Sequence, residues 1–313
     1  MRILVAGGAG FIGSNLCSAL LTAGHFVICV DNMSRGTKEN IKALENEKQF
    51  CFYQADISMM EQIQEIFEKE RPEYIFHLAA NSDIQASAKN PEIEYRDTYS
   101  TTFWLLQCMR EYGVKKLFFA STSAVYGNKH GIVMDEMTPN LSPVSYYGAA
   151  KLGSEALISS FSYMNDMKAL VFRFPNVIGP HLTHGVIYDF INKLKKDASK
   201  LEILGDGKQT KPYIYVNDLI RAILMLMEDL PNGMTVYNLG VDSSTSVTRI
   251  ADILCDEMGI GNVEYCYTGG VGGWKGDVPE FKYNLDKIHA TGWTAEMTSD
   301  EAVRKTIRYI FDK

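Results

Sequence analysis

Two short stretches carry residues whose types and spacing can do chemistry. In Gly7-Gly8-Ala9-Gly10-Phe11-Ile12-Gly13, the residues Gly7, Gly10 and Gly13 recur at every third position. Glycines so placed allow a tight strand-to-helix turn and let the backbone approach a pyrophosphate held at the helix N-terminus. The context fits, because an apolar run at 3–6 precedes them and an amphipathic segment at 11–23 follows. A second copy, Gly270, Gly273 and Gly276, leads into Asp277-Val278-Pro279 instead of an apolar helix and reads as a loop. The other stretch is Tyr147-Gly148-Ala149-Ala150-Lys151. Residues four apart share a helix face, so the phenol and the ammonium can flank one ligand. A phenol with a pKa of about 10 is a poor base at neutral pH. A lysine ammonium and a nicotinamide cation nearby favour the phenolate. The same spacing occurs at Tyr112/Lys116, Tyr283/Lys287 and Tyr309/Lys313. Those three lack the serine-rich lead-in Ser142-Pro143-Val144-Ser145 and read as ordinary tyrosines.

Asp31 ends the second apolar run, 18 residues after Gly13. A carboxylate there accepts hydrogen bonds from ribose hydroxyls and repels a 2′-phosphate, which selects NAD over NADP. Arg35 could hold a 2′-phosphate, but Asp31 opposes it. Asp56, after the third run, is a candidate adenine contact. His77 ends a buried run and reads as structural. His181 and His184 sit in a loop without a cysteine or carboxylate at metal-ligand spacing, so no metal is expected.

These residues need a scaffold, and the chain reads as one. Through residue 175, short apolar runs at 3–6, 26–30, 50–53, 74–78, 116–120 and 169–172 alternate with amphipathic segments. That alternation predicts βαβ units and a doubly wound parallel α/β sheet of Rossmann type. Beyond 175, glycine, proline and aromatics become frequent, which predicts a second, smaller α/β domain. The expected division is residues 1–174, with a returning segment near 213–242, against 175–212 and 243–313. The 313 residues include 31 basic and 38 acidic side chains, a net charge of −7. A chain this acidic lacks the basic face that nucleic acid requires. No apolar run reaches the roughly 18 residues of a membrane span. The six cysteines show no CxxC and read as small buried hydrophobes. The N-terminal run is too short for a signal-peptide core, so a cytoplasmic location is expected.

Several further segments lie in order with these two: Asp31-Asn32, His77-Leu78-Ala79-Ala80, Ser121 to Gly127, Arg173-Phe174-Pro175-Asn176-Val177-Ile178-Gly179-Pro180, Gly205-Asp206-Gly207, Tyr215-Val216-Asn217-Asp218 and Gly276-Asp277. With them the chain resembles, over nearly its whole length, the NAD-dependent epimerase/dehydratase family of extended short-chain dehydrogenases. The nucleotide-sugar 4-epimerases are the nearest match. The resemblance implies NAD held by Gly7, Gly10, Phe11, Ile12, Gly13, Asp31, Asn32, Asp56, Ile57, Leu78, Ala79 and Ala80, with Tyr147 and Lys151. It implies Tyr147 as acid/base, Lys151 as its activator and Thr122 as the hydroxyl on the sugar 4-oxygen. It places a UDP-sugar, the substrate expected, on Asn176, Lys211 and Lys275, and Phe281 near the sugar 2-substituent. It further implies a homodimer packed through helices near 98–112 and 147–164. Lys211 and Lys275 stand where the family usually has arginine, Pro175 where it has an aromatic and Thr98 where it has asparagine. A 4,6-dehydratase places acidic residues just after the threonine, whereas this chain has Ser123 and Ala124. An NADPH-consuming reductase is disfavoured by Asp31, and a non-catalytic NAD sensor would need neither Tyr147 nor Lys151.

Overall fold

A computed structural model describes residues 1–129, 131–270, 278 and 280–311. The chain divides into two compact units. The first contains Met1–Val125, Leu141–Arg173 and Ile220–Tyr237; the second contains Tyr126–Asn140, Phe174–Leu219 and Asn238–Lys313.

The core of the first unit is a seven-stranded sheet. In spatial order its strands are Gly233–Asn238, Lys168–Phe174, Lys116–Thr122, Tyr74–His77, Arg2–Ala6, Phe26–Asp31 and Phe50–Gln54. The pairings from Lys116–Thr122 across to Phe50–Gln54 are all parallel. Leu4, Ile28, Ile75, Leu117 and Val171 bury against Ile63, Phe67, Leu105, Met109 and Ile158 of the helices Met60–Glu70, Thr101–Tyr112 and Tyr146–Met164. Their strand neighbours Ile3, Val5, Val27, Cys29, Phe76 and Phe118 are also fully buried. Side chains alternate across a strand, so the sheet is covered on both faces. This is the Rossmann-type fold the apolar runs predict. The sequence order reverses between Arg2–Ala6 and Tyr74–His77, and open α/β sheets bind ligands at such a switch point.

In the second unit, Asn176–Ile178 pairs with Tyr213–Tyr215, Lys200–Ile203 with Glu264–Tyr267, and Val133–Met134 with Lys282–Tyr283, all parallel. Ile187, Phe190, Leu194, Ile250, Leu254, Val303 and Ile307 form its helical core. The returning segment of the first unit is Ile220–Tyr237, narrower than 213–242. Tyr126–Asn140, expected with the first domain, lies in the second unit. The reason is local: Asn238 receives a hydrogen bond from Tyr126 Oη (2.7 Å) and donates one to the Met134 carbonyl (3.0 Å). All six cysteines are free thiols, and Cys17, Cys29, Cys108 and Cys255 are buried. Among the described residues, no helix is long and apolar enough to cross a membrane.

Candidate active site

The strand Arg2–Ala6 turns at Gly7 into the helix Phe11–Thr22. Gly7 sits at φ +82°, and a Cβ there would lie 2.7 Å from the Ala79 amide nitrogen. A Cβ on Gly13 would lie 2.1 Å from the Gly7 carbonyl oxygen. Both positions exclude a side chain, so the loop presents bare backbone. No side chain caps the helix at Gly10, and its first turn holds no acid. The amides and positive end of the helix dipole therefore remain available to an anion. Leu78, Ala79 and Ala80 flank this loop on the adjacent strand end, with the Leu78 amide bonded to the Ala6 carbonyl (2.9 Å). Phe11 and Ile12, half-buried, begin the helix. The cradle fits a dinucleotide pyrophosphate.

Asp31 closes the rim. It is only 7% exposed, and its carboxylate accepts from the amides of Ala9 (3.0 Å) and Met33 (2.8 Å). Burial pushes its carboxyl up, and these amides oppose the push. Arg35 pairs with Asp83 (2.8 Å). Asn32 donates to Asp56 (3.4 Å). Loss of solvent raises the Asp56 carboxyl, but hydrogen bonds from Ser58 and Asn32 outweigh this and hold it below its usual value. Asn32, Asp56, Met59 and Arg96 line a cleft of about 600 Å³, and Ile57 is buried beside it. We expect NAD to bind better than NADP, and Asp31→Ala to narrow the gap about tenfold (about 1.4 kcal/mol). Fluorescence titration with both dinucleotides checks this, and equal affinities in the unsubstituted protein contradict it.

The Tyr146–Met164 helix begins at Ser145, whose hydroxyl accepts from the Gly148 amide (3.1 Å). Such a cap contributes about 1 kcal/mol. A Cβ on Gly148 would lie 2.6 Å from the Ala124 carbonyl oxygen, so glycine lets this helix approach the turn after Thr122. Tyr147 is thereby brought towards Thr122, whose hydroxyl accepts from the Ala124 amide (3.2 Å) and acts to lower the phenol's pKa. One turn on, Lys151 is 1% exposed. Its Nζ donates to the Ala120 carbonyl (2.8 Å) and lies 5.9 Å from the Tyr147 ring centroid. Burial, and then the charge of Glu94, raise the Tyr147 phenol above its ordinary value; the Thr122 hydroxyl pulls it back. Burial brings Lys151 down to about 7, against the upward pull of Glu94 and Glu155. Glu155 is itself taken by Arg173, bidentate at 3.0 and 2.6 Å, and by Ser121.

Two of the other YxxxK pairs do not form this arrangement. Tyr112 ends a helix while Lys116 opens a strand, and Tyr283 is in a strand while Lys287 is in the helix Asp286–His289. Lys313 lies outside the described residues, as do Gly273, Lys275, Gly276 and Asp277. His77 is fully buried with Nε2 2.9 Å from Thr102 Oγ1. Burial, and then the charge of Lys151, hold it well below its ordinary pKa, so it is a neutral core residue. The remaining candidates belong to the second unit. Asn176 is exposed and registers with Tyr213, two residues beyond half-buried Lys211. Phe281 is half-buried, its ring 5.5 Å from that of Tyr283. The sequence reading missed Asn81, Glu94 and Glu155. Glu94, Thr98 and Thr102 recur at four-residue spacing, which marks a shared helical face but not which way it turns.

A family model for the NAD-dependent epimerase/dehydratase family matches residues 3–240, and the chain belongs to that family. Its cofactor is NAD. The chain is 29% identical to a UDP-glucose 4-epimerase of Mycolicibacterium smegmatis, over all of this chain and 99% of the relative. A crystal structure of a UDP-glucose 4-epimerase with UDP-glucose from Thermotoga maritima superimposes with a TM-score of 0.90 at 32% identity, covering 100% and 99% of the two chains. A human dTDP-D-glucose 4,6-dehydratase is 29% identical over 98% of this chain and 89% of its own. The protein is thus similar to enzymes of both reaction types.

Proposed function

We propose that the protein is a nucleotide-sugar 4-epimerase acting on UDP-glucose and UDP-galactose. The observation that carries the reading is the Tyr147–Lys151 pair on a helix that Gly148 lets close onto the turn after Thr122, with Ser123 and Ala124 directly after the threonine. Among the described residues of this set, Tyr147 is the proton-transfer group, which suffices for a reaction at C4 alone. A 4,6-dehydratase must also remove a proton from C5 and protonate the leaving hydroxyl at C6, and neither a methyl nor a serine does this as a carboxyl would.

NAD, held by Gly7, Gly10, Gly13 and Asp31, supplies a reversible hydride acceptor. Thr122 holds the sugar 4-oxygen and Tyr147 takes the 4-hydroxyl proton as C4 is oxidised to the ketone. The sugar turns in the site, and Tyr147 returns the proton to the 4-oxygen as C4 is reduced from its other face. Protons and electrons balance within one cycle, so no co-substrate is consumed. In its ammonium form, Lys151 favours the phenolate. Asn176, Lys211 and Lys275 bind the diphosphate; ammonium groups keep the charge but lose the planar fork of arginine. The enzyme works as a homodimer through the helices Thr101–Tyr112 and Tyr146–Met164, where Tyr163 and Met164 are exposed.

Incubation with a panel of nucleotide sugars, followed by chromatographic separation of epimers, tests the assignment. Interconversion of UDP-glucose and UDP-galactose without added NADH is expected; a 4-keto-6-deoxy product supports the dehydratase, and bound NAD without turnover supports the sensor. Phe281 narrows the space for the 2-substituent. An acetamido group adds several heavy atoms, and a close-packed wall yields only at a cost. The unsubstituted enzyme is expected to prefer the glucose/galactose pair, and Phe281→Ser to gain activity on the N-acetyl pair. Efficient N-acetyl turnover before substitution would refute this gate and leave the epimerase assignment standing.

A further inference from the structure

Glu94 is 2% exposed although it is an acid. It lies in the turn Glu92–Glu94 and leads into the wide turns Tyr95–Ser100, and both stretches pack against the Tyr147 helix. Wide helical turns of this kind are frequent at functional sites. Asn81 Nδ2 donates to Glu94 Oε1 (2.8 Å) and Thr98 Oγ1 donates to Oε2 (2.7 Å). Thr98 also accepts from the Asn81 amide (3.2 Å), which closes a small ring of bonds around the carboxylate. Both donors are neutral, so they fix the group without cancelling its charge. The other charged groups on the packed elements are spoken for or exposed. Asp83 pairs with Arg35, Arg96 with Asp97, and Glu155 with Arg173, while Lys89 is exposed. Lys151 is a buried cation on the helix against which these stretches pack, one turn after Tyr147, and the charge of Glu94 pulls both groups upward.

We propose that Glu94 is a positioning residue for the Tyr147–Lys151 pair, its buried negative charge holding Lys151 as the ammonium and Tyr147 as the phenol that must return a proton. The kinetic arm rests on the epimerase reading; the spectroscopic arm does not. The sign is the same for both groups. Removing the charge makes the ammonium easier to deprotonate, and it makes the phenolate easier to form. Glu94→Gln therefore moves both downward together.

The shift expected is about one pH unit, the scale on which a neighbouring charge moves a partly buried group. The readout is NMR titration of protein labelled at tyrosine ζ-carbon, with Tyr147 assigned by the resonance missing in Tyr147→Phe. The kcat–pH profile gives the second readout: both limbs move to lower pH in Glu94→Gln and stay near their original places in Glu94→Asp. If Glu94→Gln does not fold, Glu94→Met with Thr98→Val removes the carboxylate together with its hydroxyl donor, and Asn81 keeps the Asp83 carbonyl (2.9 Å). A Tyr147 titration unmoved in the folded variant overturns the proposal, whatever happens to turnover. A moved Tyr147 titration in a protein that epimerises no sugar upholds the coupling and overturns the epimerase reading instead.

Discussion

Tyr147→Phe is expected to lower turnover by about 10²- to 10⁴-fold, the range for loss of a positioned acid–base group. The ring is kept and the phenolic oxygen removed, so the packing against Thr122 and Lys151 changes little while the proton acceptor is gone. Substrate affinity should hold within about threefold, because the sugar diphosphate is bound elsewhere in this account. The effect then falls on kcat, as for an interaction made only in the transition state. Tyr283→Phe is the control, since Tyr283 lies in the strand Lys282–Tyr283 and shares no helix with Lys287. Steady-state kinetics on the three proteins decide the matter. An active Tyr147→Phe enzyme beside an inactive Tyr283→Phe enzyme would assign the chemistry to a different tyrosine.

Gly13→Ala carries the second large effect. The added methyl would meet the Gly7 carbonyl oxygen at 2.1 Å and the Gly8 Cα at 2.8 Å, both backbone atoms. The helix must move away from the loop, at a cost of about 1–3 kcal/mol. The same displacement opens the pyrophosphate cradle, so NAD affinity should fall at least about 10²-fold. Gly261→Ala is the matching control, because a Cβ there meets nothing within 4 Å. Calorimetric melting and NAD titration read the two effects separately. A Gly13→Ala protein that binds NAD as tightly as the unsubstituted one would show that the cradle lies elsewhere.

The parallel sheet was legible because strands buried on both faces must be apolar at successive positions, as Ile3 to Ala6 and Val27 to Val30 are. The glycine loop was legible because its context, strand then helix, was written on either side of it. The second unit was harder: its strands are two to four residues long, and Val133–Met134 finds its partner some 150 residues away at Lys282–Tyr283. No local periodicity records such a pairing, so Tyr126–Asn140 was placed in the wrong half. Glu94 was invisible for another reason. A glutamate in a helical stretch normally faces water, and only its ring of bonds with Asn81 and Thr98 keeps it inside. The Arg173–Glu155 pair escaped for the same cause, each charge being buried because the other is there.

The central claim is that C4 is oxidised and reduced by the same enzyme without leaving it. UDP-galactose carrying deuterium at C4 tests this in ordinary water, with the product analysed by mass spectrometry and proton NMR. UDP-glucose of unchanged mass is expected, with the deuterium still on C4. Deuterium found on C6 of a product lighter by one water would contradict the epimerase and establish the dehydratase.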